Sequence, residues 1–138
     1  MIEFHKQTDF QLEDQERIAN WLTSLVISEG KELGELAYIF CNDEYLHDLN
    51  VRFLNHDTLT DVIGFDNTMG DLVGGEIYIS VDRVADNAKE FNELFKDELH
   101  RVMAHGVLHF CGFPDKDPEE ARLMREKEDE YLKNLKNK

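Results

Sequence analysis

Two histidines four residues apart, His105 and His109, stand in the stretch His105-Gly106-Val107-Leu108-His109-Phe110-Cys111-Gly112-Phe113-Pro114-Asp115. On a helix, positions i and i+4 lie about 40° apart around the axis and one turn apart along it, so two imidazoles at this spacing can face one ion. A third ligand from the turn beyond the helix would make a three-ligand site with an open position, the arrangement of catalytic rather than structural zinc. Gly112 is placed to end the helix and turn the chain back toward the histidines.

Two acids follow that turn. Asp117 precedes Pro118 and stands three residues before Glu120, the pattern of a helix N-cap with a capping box, and a capping oxygen is already hydrogen-bonded to backbone N–H groups. Asp115 has no such local task and is assigned to the metal. The expected site is therefore His105, His109 and Asp115 around one zinc ion, with the harder carboxylate oxygen widening tolerance toward manganese, nickel or iron. Cys111 lies about 160° around the helix from His109 and reads as a buried thiol. His5, His47, His56 and His100 fall outside the cluster.

Glu128 stands in an apolar stripe between Met124 and Tyr131. A carboxylate there needs a partner, because burying it unpaired costs several kcal/mol, as order of magnitude. Two partners are open: the second ring N–H of a ligand histidine, which Glu128 would orient from behind, or Arg122 or Arg125 at the edge of the stripe. Gly106 occupies the position where the His-Glu-x-x-His peptidases carry their catalytic base, which argues against an ordinary zinc peptidase. It also costs the helix about 1 kcal/mol relative to alanine, a cost that close packing on another element would explain.

The elements that must position these groups follow from periodicity. Residues 2–4 suit a short strand and 11–27 a helix with Ile18, Leu22, Leu25 and Val26 inward and Trp21 beside them. Gly30 and Gly34 interrupt the pattern. Residues 35–41 suit a strand, and Asn42 or Asp43 caps a helix to about 54 with Leu46, Leu49 and Phe53 on its apolar face. A polar loop leads to a strand over 61–65, a glycine-bearing turn over 66–75 and an alternating strand over 75–81. Ser80 or Asp82 caps a helix to about 91. The central helix covers 94–111, with Phe95, Leu99, Val102, Met103, Gly106 and Phe110 as its core face. The last helix runs from Pro118 to about Leu135, with Ala121, Met124, Glu128, Tyr131, Leu132 and Leu135 along its stripe. The order predicts one α/β domain over residues 1–138: a mixed sheet with flanking helices and the metal site at the C-terminal end of the central helix.

The whole chain of 138 residues has the size of one domain, and a hydrophobic fraction of 41% is ample for a core. A net charge of -15, from 30 acidic and 15 basic residues, gives no general attraction to nucleic acid or anionic membranes, though it leaves room for a local basic cleft. Cys41 and Cys111 read as two free thiols rather than a disulfide framework. No run approaches the roughly 18 apolar residues of a membrane helix, and residues 1–6 lack a secretory pattern. A soluble, cytoplasmic chain is expected.

These residues resemble the YbeY family of metal-dependent bacterial endoribonucleases. The family stretch His-Gly-x-Leu-His-Leu-x-Gly-Tyr-Asp-His aligns with residues 105–115, its last histidine falling on Asp115. Leu49-Asn50 and Asp57-Thr58-Leu59-Thr60-Asp61-Val62-Ile63-Gly64-Phe65 are similar to the family's Leu-Asn and Asp-x-x-Thr-Asp-Val-Leu-Ser-Phe. Gly75-Glu76-Ile77-Tyr78-Ile79-Ser80 is similar to its Gly-Asp-Ile-x-Ile-Ser, and Met124 and Glu128 match its last helix. The resemblance implies cleavage of single-stranded RNA in small-subunit rRNA 3′ maturation and ribosome quality control, with the ribosome or ribosome-associated proteins as partners. The family arginine six residues before the threonine falls on Leu54, so phosphate would be met by another group, such as Lys6, Arg52 or backbone N–H groups. The site taken alone also fits a metal-dependent peptidase or amidohydrolase. A non-catalytic ribosome-associated module with a structural metal is a further alternative.

Overall fold

Nine elements alternate along the chain: β1 (Ile2–Lys6), α1 (Gln15–Ser28), β2 (Glu32–Cys41), α2 (Asp43–Leu54), β3 (Val62–Asp66), β4 (Leu72–Ser80), α3 (Val81–Glu90), α4 (Phe95–Phe110) and α5 (Pro118–Lys136). The structure, a computed structural model, describes residues 1–56 and 59–137, and these nine are the helices and strands among them. Asp57 and Thr58 of the quoted motif lie outside the described residues.

The strands form one mixed sheet in the order β1-β2-β4-β3. β1, β2 and β4 run parallel, and β3 returns antiparallel along β4. Alternation along β4 sends Ile77 and Ile79 into the main core and Tyr78 to the opposite face, where it meets Cys41, Leu46 and Ile63 beneath α2. The central strands are covered on both faces, which is why β2 reads as a nearly unbroken apolar run from Leu36 to Cys41 rather than as a strict alternation. The one hydroxyl in that run is satisfied: Tyr38 donates to the Met103 carbonyl at 2.8 Å.

α4 is the buried centre of the helical layer. Leu99, Val102, Met103, Ala104, Gly106, Val107, Leu108 and Phe110 are all buried, so apolar contact surrounds the helix instead of forming one stripe. Gly106 is where α4 meets the sheet: a Cβ there would lie 3.0 Å from Ile77 Cγ2 and 3.1 Å from its Cδ1. α5 docks on α1 through Trp21 Nε1, which donates to the Tyr131 carbonyl at 2.8 Å, and through Arg17, which donates to the Leu135 carbonyl at 2.6 Å.

Several expected boundaries move, for identifiable reasons. α1 begins at Gln15 rather than 11, because Asp14 takes a left-handed φ of 56° and Leu12 reaches the core from the preceding loop. β2 begins at Glu32 rather than 35, with an irregularity in register between Leu33 and Leu36 at Gly34, which interrupts the sequence pattern without ending the strand. β4 begins at Leu72 and runs through both glycines that had been read as the end of a turn. Phe53, expected inside, is 63% exposed and rests edge-on against Phe65 at 5.9 Å. Ala121 is also exposed, one turn before the last helix meets the core at Met124. No helix among the described residues is long and apolar enough to cross a membrane.

Candidate metal centre

α4 ends as its sequence predicts. Gly112 adopts φ 105°, and its N–H donates to the His109 carbonyl at 3.0 Å while Phe113 N–H donates to Leu108 at 3.1 Å. This paired closure of the last carbonyls is a Schellman cap, which needs a residue tolerant of positive φ at the Gly112 position. The chain is thereby reversed, and Asp115 comes back over the last turn of α4. Two residues later Asp117 caps α5: its Oδ1 accepts from Glu120 N–H at 2.8 Å, and Glu120 Oε1 accepts from Asp117 N–H at 3.3 Å. The two acids thus have separate tasks, one closing a helix and one facing the histidines.

The geometry at the histidines is that of a ligand set. His105 Nε2 and His109 Nε2 are 3.0 Å apart, and Asp115 Oδ2 lies 3.2 Å from the first and 3.3 Å from the second. Ligands bound at 2.0–2.1 Å with tetrahedral angles are separated by about 3.3 Å, so the three atoms mark one face of a zinc-sized tetrahedron. Among the described residues, this is the group of His, Cys, Asp and Glu side chains whose donor atoms converge in this way. Side-chain exposures of 24% for His105, 35% for His109 and 37% for Asp115 leave the fourth direction open to solvent.

Glu128 fixes the inner histidine. Buried on α5, it accepts a hydrogen bond from His105 Nδ1 at 2.7 Å, which leaves Nε2 of the neutral ring as a lone pair facing the cluster. The second Glu128 oxygen accepts from Arg101 Nη1 at 2.9 Å, and Arg101 Nη2 reaches Asp129 at 2.7 Å. Of the two partners left open by the sequence, the histidine is present; Arg122 is instead engaged by Glu119 and Glu126 along its own helix. Burial alone would lower the His105 pKa, but the hydrogen bond and charge of Glu128, with Asp115 and Asp61 adding, raise it above the usual imidazole value.

A cavity of about 510 Å³ opens beside His105 and Asp115, between α3, α4 and α5. Among its lining residues, Asp61 and Glu98 had no assigned role in the sequence, and Arg125 had been named only as a partner for Glu128. Burial raises the Asp61 carboxyl, against hydrogen bonds from its own and the Val62 N–H groups and the attraction of His105. Glu98, also buried, is pushed up to about 7, first by desolvation and then by Glu93 and Asp61. Spacing from His105 was the available signal, since Glu98 and Arg101 precede it by seven and four positions along one side of α4. A slightly larger cavity, about 590 Å³, lies between the loop before α1 and the ends of α4 and α5, and none of the three convergent residues lines it.

The other sequence candidates take structural places. Cys111 is buried and burial pushes its thiol up to about 11, so it is not poised as a thiolate ligand. His100 packs edge-on against Trp21 at 6.0 Å. His56 is exposed in the loop after α2, and Arg52 pairs with Asp48 on its own helix at 3.2 Å. Leu54 is 40% exposed at the end of α2.

The family described as Endoribonuclease YbeY matches residues 1–136. A Flavobacterium johnsoniae protein named Endoribonuclease YbeY is 55% identical over 132 residues, covering 96% of this chain and 95% of its own. Relatives of the same name from Flavobacterium psychrophilum and Christiangramia forsetii are 52% and 50% identical, covering 96% and 95% of this chain and 95% and 92% of their own. A solution structure of a Thermotoga maritima protein superposes with a TM-score of 0.66 at 28% identity, covering 98% of this chain and 89% of that one.

Proposed function

This chain belongs to the endoribonuclease YbeY family, and on that premise we propose that it is a zinc-dependent nuclease that hydrolyses single-stranded RNA during small-subunit rRNA 3′ maturation and ribosome quality control. The whole chain, 1–138, acts as one catalytic domain in the cytoplasm, with ribosomal RNA as substrate and the ribosome or ribosome-associated proteins as partners. The observation that carries the proposal is the convergence of His105 Nε2, His109 Nε2 and Asp115 Oδ2 at 3.0–3.3 Å with one side open.

These three residues would hold the ion, which when bound would supply a water of lowered pKa and a Lewis-acid contact for a phosphate oxygen. Glu128 keeps His105 in the tautomer that presents Nε2, and Arg101 holds Glu128 so that the imidazole cannot swing away. Asp115 lends the site a negative charge that a histidine at that position would not. Manganese, nickel or iron would be accepted by the same oxygen and nitrogen donors, with zinc preferred by the compact three-ligand geometry. Phosphate recognition cannot use Leu54. Arg125, on the rim of the adjoining cavity, supplies a cation that the sequence reading did not choose.

A peptidase reading lacks its base, because Gly106 fills the position after the first histidine. The proposal is tested by incubating a single-stranded RNA with zinc-loaded wild type and with His109→Ala. Cleavage by the wild type and a loss of at least about a hundredfold in the variant is expected, in line with removal of one metal ligand. Equal cleavage by the two proteins would reject the catalytic assignment.

A further inference from the structure

Glu98 is a mostly buried carboxyl on the cavity wall, and no described residue donates a hydrogen bond to it. It is 5% exposed and lines the cavity beside His105. Burial raises its pKa first, with Glu93 and Asp61 opposing its ionisation and Arg101 and Arg125 favouring it. Its oxygens are not among the fully buried side-chain atoms left without a partner, so they open onto the cavity, where a ligand can supply the donors a carboxylate ordinarily has. Its neighbour Arg101 gives its two Nη groups to Glu128 and Asp129, and its buried Nε also has no partner among the described residues. A group so placed, next to a metal centre and facing a cavity, is suited to receive donors from a ligand.

Resting on the RNA-cleaving reading above, we propose that this cavity is a guanine-binding subsite in which the Glu98 carboxylate accepts the N1–H and N2–H groups of a base adjoining the scissile phosphate. The chemistry selects the base. Among the carboxylates lining the cavity, Glu128 is taken up by His105 and Arg101, Asp115 faces the histidines and Asp61 accepts from Asn87, so Glu98 is the acceptor left for a ligand. Of the four RNA bases, guanine alone presents two adjacent donors on its Watson–Crick edge, and a carboxylate can take both at once. Adenine and cytosine each offer one donor beside an acceptor, and uracil one donor between two acceptors; each would set a lone pair against Glu98. The guanine O6 needs a donor in turn, and Arg125 on the same rim carries one of the guanidinium groups that commonly meet O6. Phe91, 56% exposed at the cavity mouth, offers a ring face on which an unstacked base can lie. The volume of about 510 Å³ accommodates a nucleoside.

The experiment is equilibrium binding, independent of turnover. Metal-free full-length protein is titrated with fluorescein-labelled oligouridine hexamers carrying one central guanosine, one central inosine or none, and anisotropy is read. Inosine lacks only the N2 amino group. The guanosine oligomer is expected to bind about tenfold to a hundredfold tighter than the inosine oligomer, the effect of losing a hydrogen bond to a charged acceptor. Glu98→Gln, which replaces one acceptor by a donor at the same size, should bring the two together. Equal binding of guanosine and inosine oligomers by the wild type overturns the subsite while leaving RNA binding intact. So does a Glu98→Gln protein that keeps the preference. Failure of the wild type to bind any of the three oligomers overturns the subsite and the nuclease reading together.

Discussion

Replacing Gly106 by alanine tests whether the sheet contact positions the histidine-bearing helix. At an ordinary interior helix site this change stabilises by about 1 kcal/mol. Here the new Cβ would sit 3.0 Å from Ile77 Cγ2, 3.1 Å from Cδ1 and 3.6 Å from Cγ1. Carbon pairs rest at about 3.5–4.0 Å, so Ile77 or α4 must yield by about half an ångström. Overpacking of this kind costs about 1–3 kcal/mol, which leaves Gly106→Ala about 0–2 kcal/mol less stable than the wild type. Ile77→Ala removes all three crowded atoms and costs about 2–5 kcal/mol by itself as a buried cavity. The double variant should regain the helix benefit without the clash, so it falls short of the summed losses by about 1–3 kcal/mol. Urea unfolding of the four metal-free proteins at one temperature supplies the cycle. A Gly106→Ala protein stabilised by the full helix increment, with a coupling inside about 0.5 kcal/mol, would refute the account of why glycine stands between the two histidine turns.

Asp115→Ala should lose zinc affinity in a chelator competition while leaving metal-free stability nearly unchanged, and Asp117→Ala should lose about 1 kcal/mol of stability through its cap and keep the metal; the reverse pattern would exchange their assignments. Arg101→Ala leaves Glu128 without its cation in a buried setting, since their side chains are 13% and 6% exposed; a loss of about 3 kcal/mol in urea is expected, and a loss under about 1 kcal/mol would mean that His105 alone suffices. Glu98 should make stability fall as pH rises. Its carboxyl ionises near 4.5 when unfolded but is pushed up to about 7 when folded, so the penalty is absent below 4.5, grows between 4.5 and 7, and is complete above. Glu98→Gln should therefore gain on the wild type by about 3 kcal/mol between pH 4 and pH 8 in paired thermal melts; a gap independent of pH would place the carboxyl in water.

The convergence of His105, His109 and Asp115 was readable because the three are local. His105 and His109 share one helix face, Gly112 announces the reversal, and Asp117 identifies itself as a cap by its proline and Glu120. The central sheet was readable for a similar reason, since Ile77, Tyr78 and Ile79 alternate cleanly and the α1 stripe repeats at helical spacing. What escaped depends on packing between distant elements. Glu98 sits in the first turn of α4 beside Asp97, where acids favour any helix N-terminus, and only α3 and α5 closing over it bury the carboxyl. The histidine partner of Glu128 was one of the two expected, but its cation was sought among arginines of its own helix and comes instead from α4, as Arg101. Phe53 has the right spacing for a core face, yet α2 ends one residue later and the sheet beneath it runs out at β3.

The compactness of the ligand set along the chain has a thermodynamic consequence. All three donors come from the stretch 105–115, held in place by a helix, its Schellman cap and the cap of the next helix. The chain entropy of closing so short a segment is small, and most of it is spent when α4 and α5 fold. Zinc sites that join remote segments act as cross-links, and their domains unravel when the ion is removed. Here an ion fastens nothing that is not already fastened. On the proposed function, an ion could be gained, lost or exchanged for another divalent metal while the fold persists, so ion supply would set the active fraction of the protein without setting how much folded protein there is.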